Sequence, residues 1–181
     1  QVLFGTNDIG KLKVDVAKLK LNSLNPDIEI ITFPVELSKR NIEKIFSDYD
    51  IVLDGTDNYS TRYLVNKYCF LQKKTLVFGA ISQWDGQISL YDPNKKSACF
   101  ECLFPEDDNF QIEASCAESG VLGPLVGIIG ALMAAEVIKF ITFSGSPLTN
   151  EIILYDALSG QMRRYKAKVR SACKVCSLNK I

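Results

Sequence analysis

The sequence predicts an α/β protein: a mostly parallel sheet with helical crossovers, followed by an antiparallel extension. Three observations predict it. Short apolar or β-branched runs alternate with amphipathic runs from residue 11 to residue 80, the rhythm of strand–helix–strand units. That rhythm stops after Ala80. Two later runs, 152–155 and 162–167, then sit on either side of Ser159-Gly160, as an antiparallel pair does.

Taken in order, residues 11–25 place Leu12, Val16, Leu19 and Leu24 at near-helical spacing, and Asn25-Pro26 ends the helix. Residues 28–35 are β-branched and read as a strand. Residues 39–47 read as a short amphipathic helix, 49–53 as a short strand, and 54–58 as the loop after it. A helix over 60–72 and a buried strand over 75–80 complete the alternation, and 87–91 reads as a further strand before the turn Asp92-Pro93-Asn94. Residues 104–119 are polar and irregular, long enough for a functional loop. Gly120-Val121-Leu122-Gly123-Pro124 opens a long apolar helix, with Pro124 suited to its first turn.

With 181 residues the chain is long enough for one domain with a real core. Lys plus Arg number 21, as do Asp plus Glu. This balance gives no electrostatic case for nucleic acid or an anionic membrane. Histidine is absent, so chemistry must use Asp, Lys, Arg, Cys, backbone dipoles or a metal ion. The chain opens at Gln1 without a positive-then-apolar leader. It is expected to lack an N-terminal portion. Residues 119–135 carry no charge, but Glu136 and Lys139 interrupt the run before it reaches the ~20 residues of a span. Gly120, Gly123, Gly127 and Gly130 recur every three or four residues, so a buried helix in a core or dimer interface is expected.

Four of the six cysteines form two matched pairs, Cys99-x-x-Cys102 and Cys173-x-x-Cys176. Two such turns supply the four thiolates of a structural zinc site. The alternatives are two disulfides, which suit a secreted chain, or four idle thiols. The pairs are far apart in sequence, so a zinc ion would staple the tail to the middle of the domain.

In an open parallel sheet, ligands bind beyond the carboxyl ends of the strands. The loop Asp54-Gly55-Thr56-Asp57-Asn58 lies at such an end. Asp57 suits magnesium, which takes one or two carboxylates plus phosphate oxygens. The same cluster equally suits capping of the next helix. Lys11, Lys13 and Arg62 are either phosphate contacts or solvated surface groups. Cys116 is unpaired and precedes a helix start, where thiolate character rises. It is a candidate nucleophile or a structural thiol. Cys69 falls on a helix and receives no role.

Together these segments resemble the ThiF/MoeB/HesA family, relatives of the ubiquitin-activating enzymes, over nearly the whole chain. The residues that carry the resemblance are Asp8-Ile9-Gly10-Lys11-Leu12-Lys13, Leu24-Asn25-Pro26, Asp54-Gly55-Thr56-Asp57-Asn58 with Thr61-Arg62, and Gly79-Ala80. They continue through Trp84-Asp85-Gly86-Gln87, Cys99-Phe100-Glu101-Cys102-Leu103-Phe104-Pro105, Gly120-Val121-Leu122-Gly123-Pro124 and Cys173-Lys174-Val175-Cys176. The resemblance implies a Rossmann-like sheet that binds Mg·ATP, with residues 1–181 forming a single adenylation domain. It implies adenylation of the C-terminal glycine of a ubiquitin-like sulfur-carrier protein, of the molybdopterin-synthase or thiamine type. By position, Lys13 looks like the family's phosphate-contacting lysine and Asp57 like its magnesium-linked aspartate, with Asn58 and Arg62 beside it. Cys116 looks like the cysteine with which some members bond the partner or carry sulfur. Cys99, Cys102, Cys173 and Cys176 look like the zinc ligands. Homodimers, an external sulfurtransferase and a cytoplasmic setting are further implications.

The family also carries a Gly-rich turn after its first strand, an acidic ribose-binding residue after the second, and an arginine ahead of the region matched by Gln1. None of these stands in this sequence, so most of the first βαβ unit is expected to be missing. The alternative function is therefore a non-catalytic, zinc-stapled fragment or subunit that binds a ubiquitin-like protein or a complementing chain. A nicotinamide-dependent oxidoreductase is disfavoured, because the dinucleotide fingerprint is absent.

Overall fold

The computed structural model describes residues 2–106 and 120–177. Its backbone forms two compact units, residues 1–37 and 38–181.

In the first unit a 3-10 turn, Thr6–Asp8, precedes helix α1, Lys13–Leu24. The Asp8 carboxylate anchors that turn. It accepts the Gly5 N–H at 2.9 Å and pairs with Lys11 at 3.1 Å and Lys20 at 3.3 Å. The Gly5 hydrogen bond, then the Lys11 contact, lowers its pKa to about 2. Lys11, a phosphate candidate from sequence, is thus already partnered within its own turn. Residues 28–35 carry no strand. Their β-branched composition satisfies propensity, but a strand also needs a ladder partner, and none pairs with them among the described residues.

The second unit is a sheet of five strands in chain order, covered by helices. Helix α2 is Ile42–Phe46, β1 is Ile51–Asp54, and α3 is Tyr59–Leu71. Strand β2 is Thr75–Ser82 and β3 is Asp85–Tyr91. Helix α4, Phe100–Leu103, is followed by the long helix α5, Gly123–Thr142. Strands β4, Glu151–Asp156, and β5, Gln161–Lys166, close the sheet. The parallel component is one pairing, β1 with β2, from Ile51↔Thr75 to Asp54↔Phe78, with α3 as its crossover. The remaining three pairings are antiparallel. The direction changes at the tight Ser82↔Asp85 hairpin, where Gln83 takes a left-handed φ of 44°. This is where the alternating sequence pattern ends.

The core lies between the sheet and α5. Val77, Ile88 and Leu90 from the strands meet Leu125, Ile129 and Met133 from the helix, with Leu148 beside them. Helix α5 lies against β2 and β3, and two glycines permit the approach. A Cβ on Gly86 would stand 2.5 Å from Ile129 Cδ1, and one on Gly79 would stand 2.9 Å from Ile129 Cγ2. Pro124 starts the helix and Phe143, at a left-handed φ of 53°, ends it. Glu136 is buried, accepts the Leu148 N–H at 2.8 Å and pairs with Lys139 at 2.5 Å. Among the described residues α5 is the one helix long and apolar enough to cross a membrane by length and composition. Its packing on the sheet instead follows the expectation of a core or interface helix. Val126, Ile138 and Ile141 remain exposed on its far side.

Candidate functional site

The four paired cysteines come together. Cys99 is the N-cap of α4 and Cys102 lies within it, and Cys173 and Cys176 lie in the turn after β5. Their sulfurs lie within 4.8 Å of one another. Cys99 Sγ is 3.9 Å from Cys102 Sγ and 3.6 Å from Cys173 Sγ, while Cys102 and Cys176 are 3.3 Å apart. A disulfide would need about 2.05 Å, so these are four free thiols. A zinc ion about 2.3 Å from each of four sulfurs has sulfur–sulfur edges of about 3.8 Å. The donor set therefore fits tetrahedral zinc.

The surroundings match that chemistry. The Arg170 N–H lies 3.4 Å from Cys102 Sγ, and the Cys176 N–H lies 3.4 Å from Cys173 Sγ. Asn66 Nδ2 lies 3.7 Å from Cys99 Sγ. Such donors favour thiolates at a metal centre. Burial, then the neighbouring Cys102 and Cys173, pushes the Cys99 thiol up to about 12. Burial likewise raises Cys176. Four sulfurs would complete the shell of a zinc ion and leave no open position for water, which is the donor set of a structural site. The cluster brings the α4 turn and the turn after β5 together.

The loop after β1 is built from side chains with distinct tasks. Asp54 is buried, and its Oδ1 accepts from the Thr56 N–H at 2.9 Å and the Thr56 hydroxyl at 2.7 Å. Asn58 is the N-cap of α3; its Oδ1 accepts from the Thr61 N–H at 2.8 Å and from the Ser60 hydroxyl at 2.8 Å. Arg62 is buried and donates from Nε and Nη2 to the Thr56 carbonyl at 2.9 and 2.6 Å. Its guanidinium also lies 5.5 Å from the centre of the Tyr59 ring. Asp57 differs from these neighbours. It is exposed, makes no ion pair among the described residues, and takes only a 3.5 Å contact from Asn58 Nδ2. Asp54, Asn58 and Arg62 thus hold the loop, and Asp57 stands exposed beside them.

Sequence reasoning missed two things here. It left Arg62 as a phosphate contact or a solvated surface group, whereas the side chain is buried and at least two of its donors hold the loop. It overlooked Asn66, which is fully buried between α3 and the cysteine turn. The signal lay in the spacing of Arg62, Asn66 and Cys69, polar or thiol positions on one buried helical stripe. Lys13 is exposed at the first position of α1, in the other compact unit. Cys116 lies outside the described residues.

Comparison with known proteins follows the same lines. The chain matches the ThiF family over residues 1–176. It is 41% identical over 180 residues to the sulfur carrier protein adenylyltransferase of Thermus thermophilus, covering 97% of this chain and 66% of that protein. It is 39% identical to the adenylyltransferase and sulfurtransferase MOCS3 of Culex quinquefasciatus, covering 99% of this chain and 41% of that one. Among solved structures, E. coli MccB with ATP superposes with a TM-score of 0.81 at 25% identity, over 98% of this chain and 54% of MccB. The chain thus spans about two thirds or less of the length of these relatives. The loop after β1, the four-cysteine centre and the family match agree, and the chain belongs to the ThiF family.

Proposed function

We propose that residues 1–181 act as one adenylation domain that activates the C-terminal glycine carboxylate of a ubiquitin-like sulfur-carrier protein with ATP. The observation that carries this reading is the exposed Asp57 carboxylate on a braced loop at the carboxyl end of β1. The match to a relative named for sulfur-carrier adenylation, and the likeness to a structure containing ATP, support it.

The reaction asks little of acid–base groups. A carboxylate oxygen of the carrier attacks the α-phosphorus of ATP, forming an acyl–phosphate anhydride, and pyrophosphate leaves with the bond electrons. Both reactants are anionic, so the difficulty lies in screening charge and aligning attack. No histidine is needed, and none is present. Asp57 would hold magnesium, which when bound neutralises phosphate charge. Arg62 and Asn58 keep the Asp57 loop in place, and any guanidinium N–H not spent on Thr56 is available to phosphate. Lys13 would contact phosphate from the first turn of α1. The four cysteines would hold zinc, which supplies rigidity rather than chemistry.

A homodimer suits the apolar outer side of α5, where Gly127, Gly130, Ala131 and Ala134 leave room for close approach of a second copy. Sedimentation velocity would then give twice the chain mass. Cys116 would act in a later covalent or sulfur-transfer step, in the cytoplasm. The test is pyrophosphate exchange into ATP dependent on a carrier ending in glycine. Cys116→Ala should retain exchange; its loss in that variant would assign Cys116 to structure instead. Carrier binding without any exchange would favour a non-catalytic binding subunit.

A further inference from the structure

Two turns beyond its N-cap, helix α3 carries a polar side chain that the proposed reaction does not use. Asn66 is 0% exposed. Its Oδ1 accepts the Phe100 N–H at 3.0 Å, and its Nδ2 faces Cys99 Sγ at 3.7 Å. The first contact fixes the second. An amide NH2 cannot accept from the Phe100 N–H, so the oxygen must face Phe100 and the donors must face sulfur. Among the described residues three of the four sulfurs meet N–H groups: Asn66 is the side-chain donor, and the backbone donors are Cys102 to Cys99, Arg170 to Cys102, and Cys176 and Val175 to Cys173. A buried amide would gain little from a thiol but more from a thiolate, whose charge it helps to hold in place.

We propose that Asn66 is a positioning residue that orients and stabilises the Cys99 thiolate for metal binding, and so ties occupancy of the four-cysteine centre to helix α3. The inference rests on the metal reading of the cysteines, not on adenylation. Its structural consequence runs along the helix. Asn58 caps α3 eight residues earlier, about 12 Å away at 1.5 Å per residue. One rigid element thus joins the metal turn to the Asp57 loop.

Asn66→Asp separates the two roles of the side chain. It keeps an acceptor for the Phe100 N–H but replaces the donor that faces sulfur with an oxygen. In the full chain, zinc release to a chromogenic chelator should become about 10 to 100 times faster. In cobalt-substituted protein the sulfur-to-metal charge-transfer band should move to longer wavelength, because the thiolate loses a hydrogen bond. Should the aspartate variant fail to fold, Asn66→Leu, similar in volume and uncharged, is read by the same band. Zinc release within twofold of the original, with an unmoved band in the folded variant, would overturn the role of Asn66. Absence of zinc from freshly prepared reduced original protein would overturn the metal reading and this inference with it.

Hydrogen exchange gives an independent readout. Metal removal should speed exchange of α3 amides in the original chain and change it less in Asn66→Asp. Equal acceleration in both would contradict the link.

Discussion

Arg62 grips the carbonyl of Thr56 with two donors, Nε at 2.9 Å and Nη2 at 2.6 Å. That carbonyl belongs to the peptide group leading into Asp57, so the contact orients the backbone that carries the exposed carboxylate. A buried charged donor of this kind is costly to remove. Arg62→Ala should lower stability by about 2 kcal/mol, read from the denaturant midpoint at constant slope. Arg62→Lys should recover only part, because an ammonium lacks the two-pronged geometry. Full recovery by lysine would mean that charge rather than the fork matters.

Zinc is expected at one ion per chain, counted by elemental analysis of reduced protein. Its removal by a chelator should loosen the segment after β5, which the metal joins to α4, and leave the β1–β2 pairing intact. Cys176→Ser should weaken zinc retention, since serine is a poor substitute for thiolate. Limited proteolysis reads the effect: cleavage after residue 166 should accelerate on chelation, and an unchanged pattern would contradict the staple.

Close packing of α5 makes a sharp prediction at Gly86. A Cβ there would lie 2.6 Å from Ile129 Cγ1 and 3.2 Å from Leu125 Cδ1. The Ile129 atom sits near the root of a branched side chain and cannot swing aside. Gly86→Ala should therefore cost about 1–3 kcal/mol by overpacking. Pairing it with Ile129→Val should recover part of the loss, which thermal melts of the single and double variants would resolve.

Burial, then the nearby Asp54 charge, raises the Cys69 thiol from an ordinary 9.0 to about 12. Below pH 9 the thiol is protonated in both folded and unfolded chains, so it adds no pH dependence. Between pH 9 and about 12 only the unfolded chain ionises it. Stability should then fall as pH rises, at up to about 1.4 kcal/mol per unit from this group. Cys69→Val should flatten the slope in urea titrations across that window. An unchanged slope would remove Cys69 as its source.

Much of this architecture was legible because it rests on local pattern. Leu12, Val16 and Leu19 announced α1, and the apolar run from Thr75 announced β2. Gly123 and Pro124 marked the start of α5, and Ser159-Gly160 the turn between β4 and β5. The two cysteine pairs announced their own cluster because each pair is a local turn. Pairing direction was less legible, since the β2–β3 hairpin depends on a left-handed Gln83 rather than on a glycine. Residues 28–35 have strand composition, but composition cannot supply a ladder partner. At the site, Asp57 stood out as a carboxylate after a strand. The loop-bracing task of Arg62 and the sulfur contact of Asn66 did not, because each arises from tertiary contacts of a buried side chain on α3.

The most direct measurement is Mg·ATP binding by calorimetry, with the original protein and Asp57→Asn run side by side at matched stability. The account predicts saturable, magnesium-dependent binding that is lost or weakened at least tenfold in the variant. Asp57→Asn binding Mg·ATP as tightly as the original would contradict it and place the metal–phosphate contact on another residue.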